Sequence, residues 1–182
     1  MRNELEQEWI EAGYDFFARE GPRGLKVEQL ARRVGKSKSS FYHLFADLEI
    51  FQQRLLSYHG ERAKDVAVRA ARCESMVPDM LNLLLEIKPD LLFNRQLRVH
   101  RDHPDFQRCF ESANALVEEA FMGIWAESFG LGDKPHVARN IMKMTTETFY
   151  LRISEDNLNY DTLIAFFDEL KFIVRDIVNH KP

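Results

Sequence analysis

Cysteine, proline and glycine are all scarce in this chain: its 182 residues hold 2 Cys, 6 Pro and 8 Gly. Cys73 and Cys109 stand far apart and form no C-x-x-C pair, which excludes a cysteine zinc knuckle and a redox dithiol. The glycines are scattered. No GxGxxG, P-loop or GxSxG occurs, so phosphate-cradling loops and the nucleophile elbow are excluded together. No apolar run approaches the roughly 20 residues that span a bilayer. The opening "MRNELEQEWIEAGYDFF" is acidic and amphipathic, without the layout of a secretory signal. Repeats and low-complexity tracts are missing too. The expectation is a cytoplasmic protein, away from membranes, with reduced thiols.

What remains is a helical vocabulary. Apolar residues make up 45% and charged residues 30%, ordinary for a folded soluble chain, and Leu, Glu, Arg, Ala and Phe recur throughout. Residues 4–19 space Leu5, Trp9, Ala12, Phe16 and Phe17 by threes and fours, one apolar stripe on a helix. "GPRG" interrupts it. Residues 26–34 present Val27, Leu30, Ala31 and Val34 and stop at Gly35. Ser37 can cap a short helix to about Leu44, with Phe41, Leu44 and Phe45 inward; Asp47 can cap a long one towards Arg72. Prolines then punctuate the chain, and helices are expected over about 78–88, 89–100, 105–129, 135–153 and 160–179.

Charge is distributed unevenly. The whole chain has net charge −4, yet residues 19–45 hold seven cations (Arg19, Arg23, Lys26, Arg32, Arg33, Lys36, Lys38) against Glu20 and Glu28. Local positive charge on an acidic protein is what a polyanion-binding face requires. Ala31, Gly35 and Phe41 sharpen the reading. A small residue admits a second helix, a glycine turns the chain, and an apolar residue closes the contact. That is a helix-turn-helix pattern, whose second helix enters the major groove by its N-terminal end. Here that end reads Ser37, Lys38, Ser39, Ser40, then Tyr42 and His43. Lys38 suits guanine O6 or N7, the serines suit base or phosphate, and Tyr42 suits phosphate. Arg32, Arg33 and Lys36 add attraction independent of sequence.

The stretch "FFAREGPRGLKVEQLARRVGKSKSSFYHLFADLEIF" resembles the DNA-binding segment of TetR-type bacterial transcriptional regulators. Phe16 or Phe17, Gly21, Gly24, Leu30, Ala31, Gly35, Ser37, Lys38, Phe41, Tyr42, Phe45, Glu49 and Phe51 carry the likeness. Two departures stand out: Lys36 where the family is usually apolar, and Leu48 where it commonly has a phosphate-binding lysine. A third position, often a phosphate-touching threonine, is Lys26 or Val27, and Lys26 and Lys36 are candidates to restore the lost contact.

The resemblance implies an all-α protein of two parts. Residues 1–46 would be a three-helix DNA-binding domain and 47–182 a larger helical effector-binding and dimerisation domain. The last two helices would pair with a second subunit, and the dimer would bind a palindromic operator on double-stranded DNA. Residues 160–179 fit, with Leu163, Ile164, Phe166, Phe167, Leu170, Ile173, Val174 and Ile177 spread over more than one face. Val137, Ile141, Met144, Phe149 and Leu151 add a second apolar series. A pocket between the middle helices would take a small apolar effector, with Phe93, Phe106, Phe110, Phe121, Met122 and Trp125 as candidate lining; plain core is the competing reading for each. Repression is implied by the family alone.

Enzyme readings find little support. His100, Asp102 and His103 lie close in "RVHRDHPDF", but no third or fourth ligand can be named. No histidine has Glu three positions before it, as a helical di-iron site needs. No metal, cofactor or catalytic residue is expected. The rival class is a dimeric helical interaction protein that has lost sequence-specific DNA binding, with Leu48 as its best support.

Overall fold

The computed structural model describes residues 4–179, with side chains for 4–176. All regular structure in it is helical: α1 (Glu4–Glu20), α2 (Val27–Val34), α3 (Lys38–Phe45), α4 (Leu48–Ala70), α5 (Leu81–Glu86), α6 (Lys88–Val99), α7 (Pro104–Ser128), α8 (Pro135–Arg152) and α9 (Tyr160–Asn179). None of these helices is long and apolar enough to cross a membrane. Two compact units divide the chain. The first holds residues 1–64 and 89–114, the second 65–88 and 115–182.

In the first unit, α1 buries Trp9, Ile10, Gly13, Tyr14, Phe17 and Ala18. The face is turned relative to the expected stripe, because Leu5, Ala12 and Phe16 are only half-buried. Gly13 explains the turn. Its missing side chain lets Phe51 of α4 approach, so that a Cβ there would stand 2.3 Å from Phe51 Cζ and 3.3 Å from Leu55 Cδ2. Phe51 cannot retreat, since its ring packs 5.1 Å from Phe41 and 4.8 Å from Phe45. Gly13→Ala therefore sets about 1 kcal/mol of gained helix propensity against an overpacking cost of about 1–3 kcal/mol. The expected outcome is a net loss of up to about 2 kcal/mol, read as a lower urea midpoint; a gain would show that the ring yields freely.

The α3–α4 link is short. Phe45 ends one helix and Leu48 begins the next. Between them Ala46 sits at φ 60°, ψ −54°, and the Asp47 N–H donates to Phe45 O at 2.6 Å, closing a γ-turn. Asp47 Oδ1 then accepts from the Ile50 N–H at 2.8 Å, capping α4 as its position suggested.

In the second unit, Asp79 Oδ2 accepts from the Ser75 N–H (3.0 Å), Ser75 hydroxyl (2.9 Å) and Glu74 N–H (3.1 Å). This irregular entry delays the helix expected from about 78, and regular α5 begins only at Leu81. Helix α8 buries Ala138, Met142 and Tyr150; α9 buries Leu163, Phe167 and Val174. Arg152–Glu169 joins the two helices at 2.7 Å. Other apolar side chains stay outside: Val137, Met144 and Leu151 along α8, and Phe172 and Ile173 on α9, with Met144 71% and Phe172 72% exposed. The side chain of Ile177 lies outside the described residues.

Candidate nucleic-acid interface

The helix-turn-helix is assembled by local chemistry. Gly35 takes the left-handed conformation, φ 71°, ψ 30°, that ends α2; its N–H and that of Lys36 both donate to Ala31 O. Ala31 is buried, as the small residue at this crossing has to be, and Phe41 of α3 is fully enclosed, 5.4 Å from Trp9 and 5.1 Å from Phe45. Burying such a ring is worth about 1.5–3 kcal/mol, so the underside of α3 is fixed by aromatic packing. Ser37 caps the helix, its Oγ accepting from the Ser40 N–H at 3.3 Å.

The outward side is where spacing placed it. Lys36, Ser37, Lys38, Ser39, Tyr42 and His43 are exposed; Ser40 is half-buried; Lys26, exposed, sits at the N-cap of α2. Arg32 and Arg33 are exposed beside them, Arg33 being 3.9 Å from Asp15. Helix starts leave backbone N–H groups free for phosphate oxygens. Leu48 and Ile50 at the start of α4 add exposed apolar surface.

Two arrangements were invisible in the sequence. Glu28 of α2 accepts from Lys38 Nζ at 2.9 Å, bridging the two helices of the motif. Behind the motif, α1, α4 and α6 enclose a polar cluster. Arg62 donates twice to Asp90, Nε to Oδ1 at 2.5 Å and an Nη to Oδ2 at 2.7 Å. The Tyr14 hydroxyl lies 2.9 Å from Asp90 Oδ1 and 2.7 Å from His59 Nδ1; His59 Nε2 is 3.0 Å from Asn94 Oδ1. The hydroxyl has one proton and donates it to Asp90 Oδ1; its oxygen and the two ring nitrogens of His59 complete the line of contacts to Asn94. Burial pushes His59 down to about 4, so the ring is neutral at pH 7. Burial and the neighbouring Asp90 carboxylate push Tyr14 well above the usual tyrosine range. The cluster joins three helices and offers no open site.

The six effector candidates fall in two groups. Phe93, Phe106 and Phe110 are buried in the first unit, where Phe93 stacks on Phe17 (4.3 Å), Tyr14 (4.4 Å) and His59 (4.6 Å), and Phe106 meets Phe17 at 5.5 Å. Phe121 and Met122 are half-buried in the second unit beside Trp125, which packs on Phe129 at 4.6 Å. A groove of about 330 Å³ in that unit is lined by Glu74, Ser75, Met76, Val77, Ile124, Glu127, Ser128 and Lys171. His100 Nδ1 lies 3.0 Å from Gln96 O, and His103 stacks on Phe106 at 4.5 Å. Among the described residues, no group of three or more His, Cys, Asp and Glu is arranged to hold a metal.

No protein-family model matches the chain, and no curated protein does. Solved structures do. One, from Rhodococcus sp. and assigned to the TetR family of transcriptional regulators, superposes with a TM-score of 0.56 at 19% identity, covering 92% of this chain and 98% of its own. A second of the same assignment, from Mesorhizobium loti MAFF303099, gives 0.56 at 17% identity and covers 96% of each. The chain has the TetR-regulator fold. As in the TetR fold generally, an N-terminal helix-turn-helix precedes a larger helical part. Both TetR-type neighbours carry a regulatory description, not an enzymatic one.

Proposed function

We propose that this protein is a DNA-binding transcriptional regulator, not an enzyme, and acts in the cytoplasm. One observation carries the reading: an exposed polar and cationic helix start, Ser37 to Ser39, stands on a turn fixed by Gly35 and by the buried Phe41. Residues 1–46 are the reading head, with Lys26, Lys36, Ser37, Lys38, Ser39, Ser40, Tyr42 and His43 towards DNA. Residues 47–182 dimerise and sense. The exposed apolar residues of α8 and α9 support a homodimer, since Val137, Met144 and Leu151 recur at intervals of seven beside Phe172 and Ile173. A two-fold dimer matches a palindromic operator with half-sites about one helical turn, ~34 Å, or a multiple apart. A small apolar effector, held among aromatic side chains such as Phe121, Met122 and Trp125, releases a repressor to the extent that it prefers the non-binding state.

Leu48 gives the rival reading its footing, because an exposed apolar residue occupies a position suited to a phosphate-binding cation. Selection of bound fragments from random duplex DNA separates the two. The regulator is expected to enrich a palindrome and to lose about 10³-fold or more in affinity between 50 and 200 mM salt, given six or more phosphate contacts. Weak, sequence-blind binding at every salt would instead make the protein an interaction module.

A further inference from the structure

Lys38 is the only lysine or arginine within α3, and its ammonium is already engaged. Nζ donates to Glu28 Oε1 at 2.9 Å, with both side chains more than half exposed. Exposed pairs of this kind add little to stability, so stability is a poor account of this one. Nor does Glu28 help attract DNA, since a carboxylate beside the reading helix repels phosphates. It is one of only two acids in the segment 19–45 that otherwise gathers seven cations.

The pair changes what Lys38 can do. A free lysine at this place is drawn to any nearby phosphate through long-range attraction and counterion release, whatever the sequence. Paired with Glu28, its charge is largely cancelled at a distance and its flexible stem is held. An ammonium has three donors. One on Glu28 leaves two, enough for the O6 and N7 acceptors of a guanine edge. Each partner favours the other's charged form, Glu28 being held below its ordinary value and Lys38 above. The pair thus persists across neutral pH.

We propose that Glu28 is a specificity-determining residue, which holds Lys38 across the helix-turn-helix and converts a general phosphate-attracting cation into a base reader. Glu28 itself touches no base; it is a positioning residue. The proposal rests on the regulator reading above.

The test uses the full chain and the operator selected for the wild type, with a scrambled duplex of equal length, titrated across salt. Glu28→Gln is expected to bind the scrambled duplex about 3–10-fold more tightly at low salt and to steepen the salt slope by about 0.9 per freed lysine. Its ratio of operator to scrambled affinity should fall about tenfold, the size of one lost base contact. A merely structural role would move neither slope nor ratio. In a Lys38→Ala background, Glu28→Gln should leave the ratio unchanged, because the residue acts through Lys38. An unaltered ratio in Glu28→Gln, or a change that persists without Lys38, overturns the role of Glu28 while the regulator reading stands. A wild type that selects no motif overturns both.

Discussion

Asp90→Ala is expected to cost the first unit about 3 kcal/mol, the lower end of what breaking a buried ion pair costs. The carboxylate is 5% exposed and takes two hydrogen bonds from Arg62 and one contact from Tyr14. Removing it leaves the buried Tyr14 hydroxyl without the acceptor of its one proton. It also leaves a guanidinium without its partner. Arg62 is itself 36% exposed, so part of its charge can turn to water, and that places the effect at the lower end. Replacing both partners by apolar residues, Arg62→Met with Asp90→Leu, should cost less than the single change, because no orphaned charge remains. The two tryptophans allow the measurement: Trp9 belongs to the first unit and Trp125 to the second. A Trp125→Phe background therefore leaves one fluorophore reporting on the unit that holds Asp90. Urea midpoints of that background, of Asp90→Ala in it and of the double variant in it decide the matter. A single variant that loses less than about 1 kcal/mol would show that water, not Asp90, satisfies the cluster.

Acid should act on the same cluster through His59. In the folded chain the ring stays neutral down to about 4, whereas an unfolded histidine protonates near 6.5. Between those values the unfolded state binds the extra proton, so stability rises with pH and is lost as pH falls. The contribution is complete above about 6.5 and gone near 4. Each unit of separation is worth about 1.4 kcal/mol, so descending from pH 7 to 5 should remove about 2 kcal/mol and to 4 about 3 kcal/mol. His59→Gln keeps polar partners for Tyr14 and Asn94 but has no proton to gain. Its stability should be flatter over pH 5–6.5, a window above the range where ordinary carboxylates titrate. Equal slopes for wild type and variant would show that the buried ring charges in the folded state.

Most of the helical order is legible because it is written in short-range chemistry. Ser37 and Asp47 cap, Gly35 ends, and Pro104 and Pro135 start helices within a turn of where they stand. The outward run from Lys36 to His43 follows from Phe41 and Phe45 facing inward. What escaped depends on how one helix is rotated against another. Gly13 and Tyr14 look like interruptions of an apolar stripe, yet a glycine is what lets Phe51 approach. His59 follows Phe51 and Leu55 at intervals of four, so its burial was readable; its partners Tyr14 and Asn94, on other helices, were not. Asp90, next to Pro89, reads as an acid for a helix start and gives no sign of burial. Glu28 and Lys38 are ten positions apart, a distance no periodicity flags. Phe93 shows the same limit for pockets, since spacing reports which way a ring faces and not whether it meets a ring or a void.

The γ-turn at Ala46 has a consequence for how this chain tolerates insertion. Two residues join α3 to α4, and one of them already occupies the left-handed region. An added residue would turn everything after it by about 100° around the axis of α4. Phe51 and Leu55 would swing away from Gly13, and α3 would lose the floor on which Phe41 and Phe45 rest. The joint is thus gauged in number more strictly than in kind. At Ala46 glycine, which tolerates positive φ, can stand in at little cost, but the two-residue count cannot grow without unseating α3.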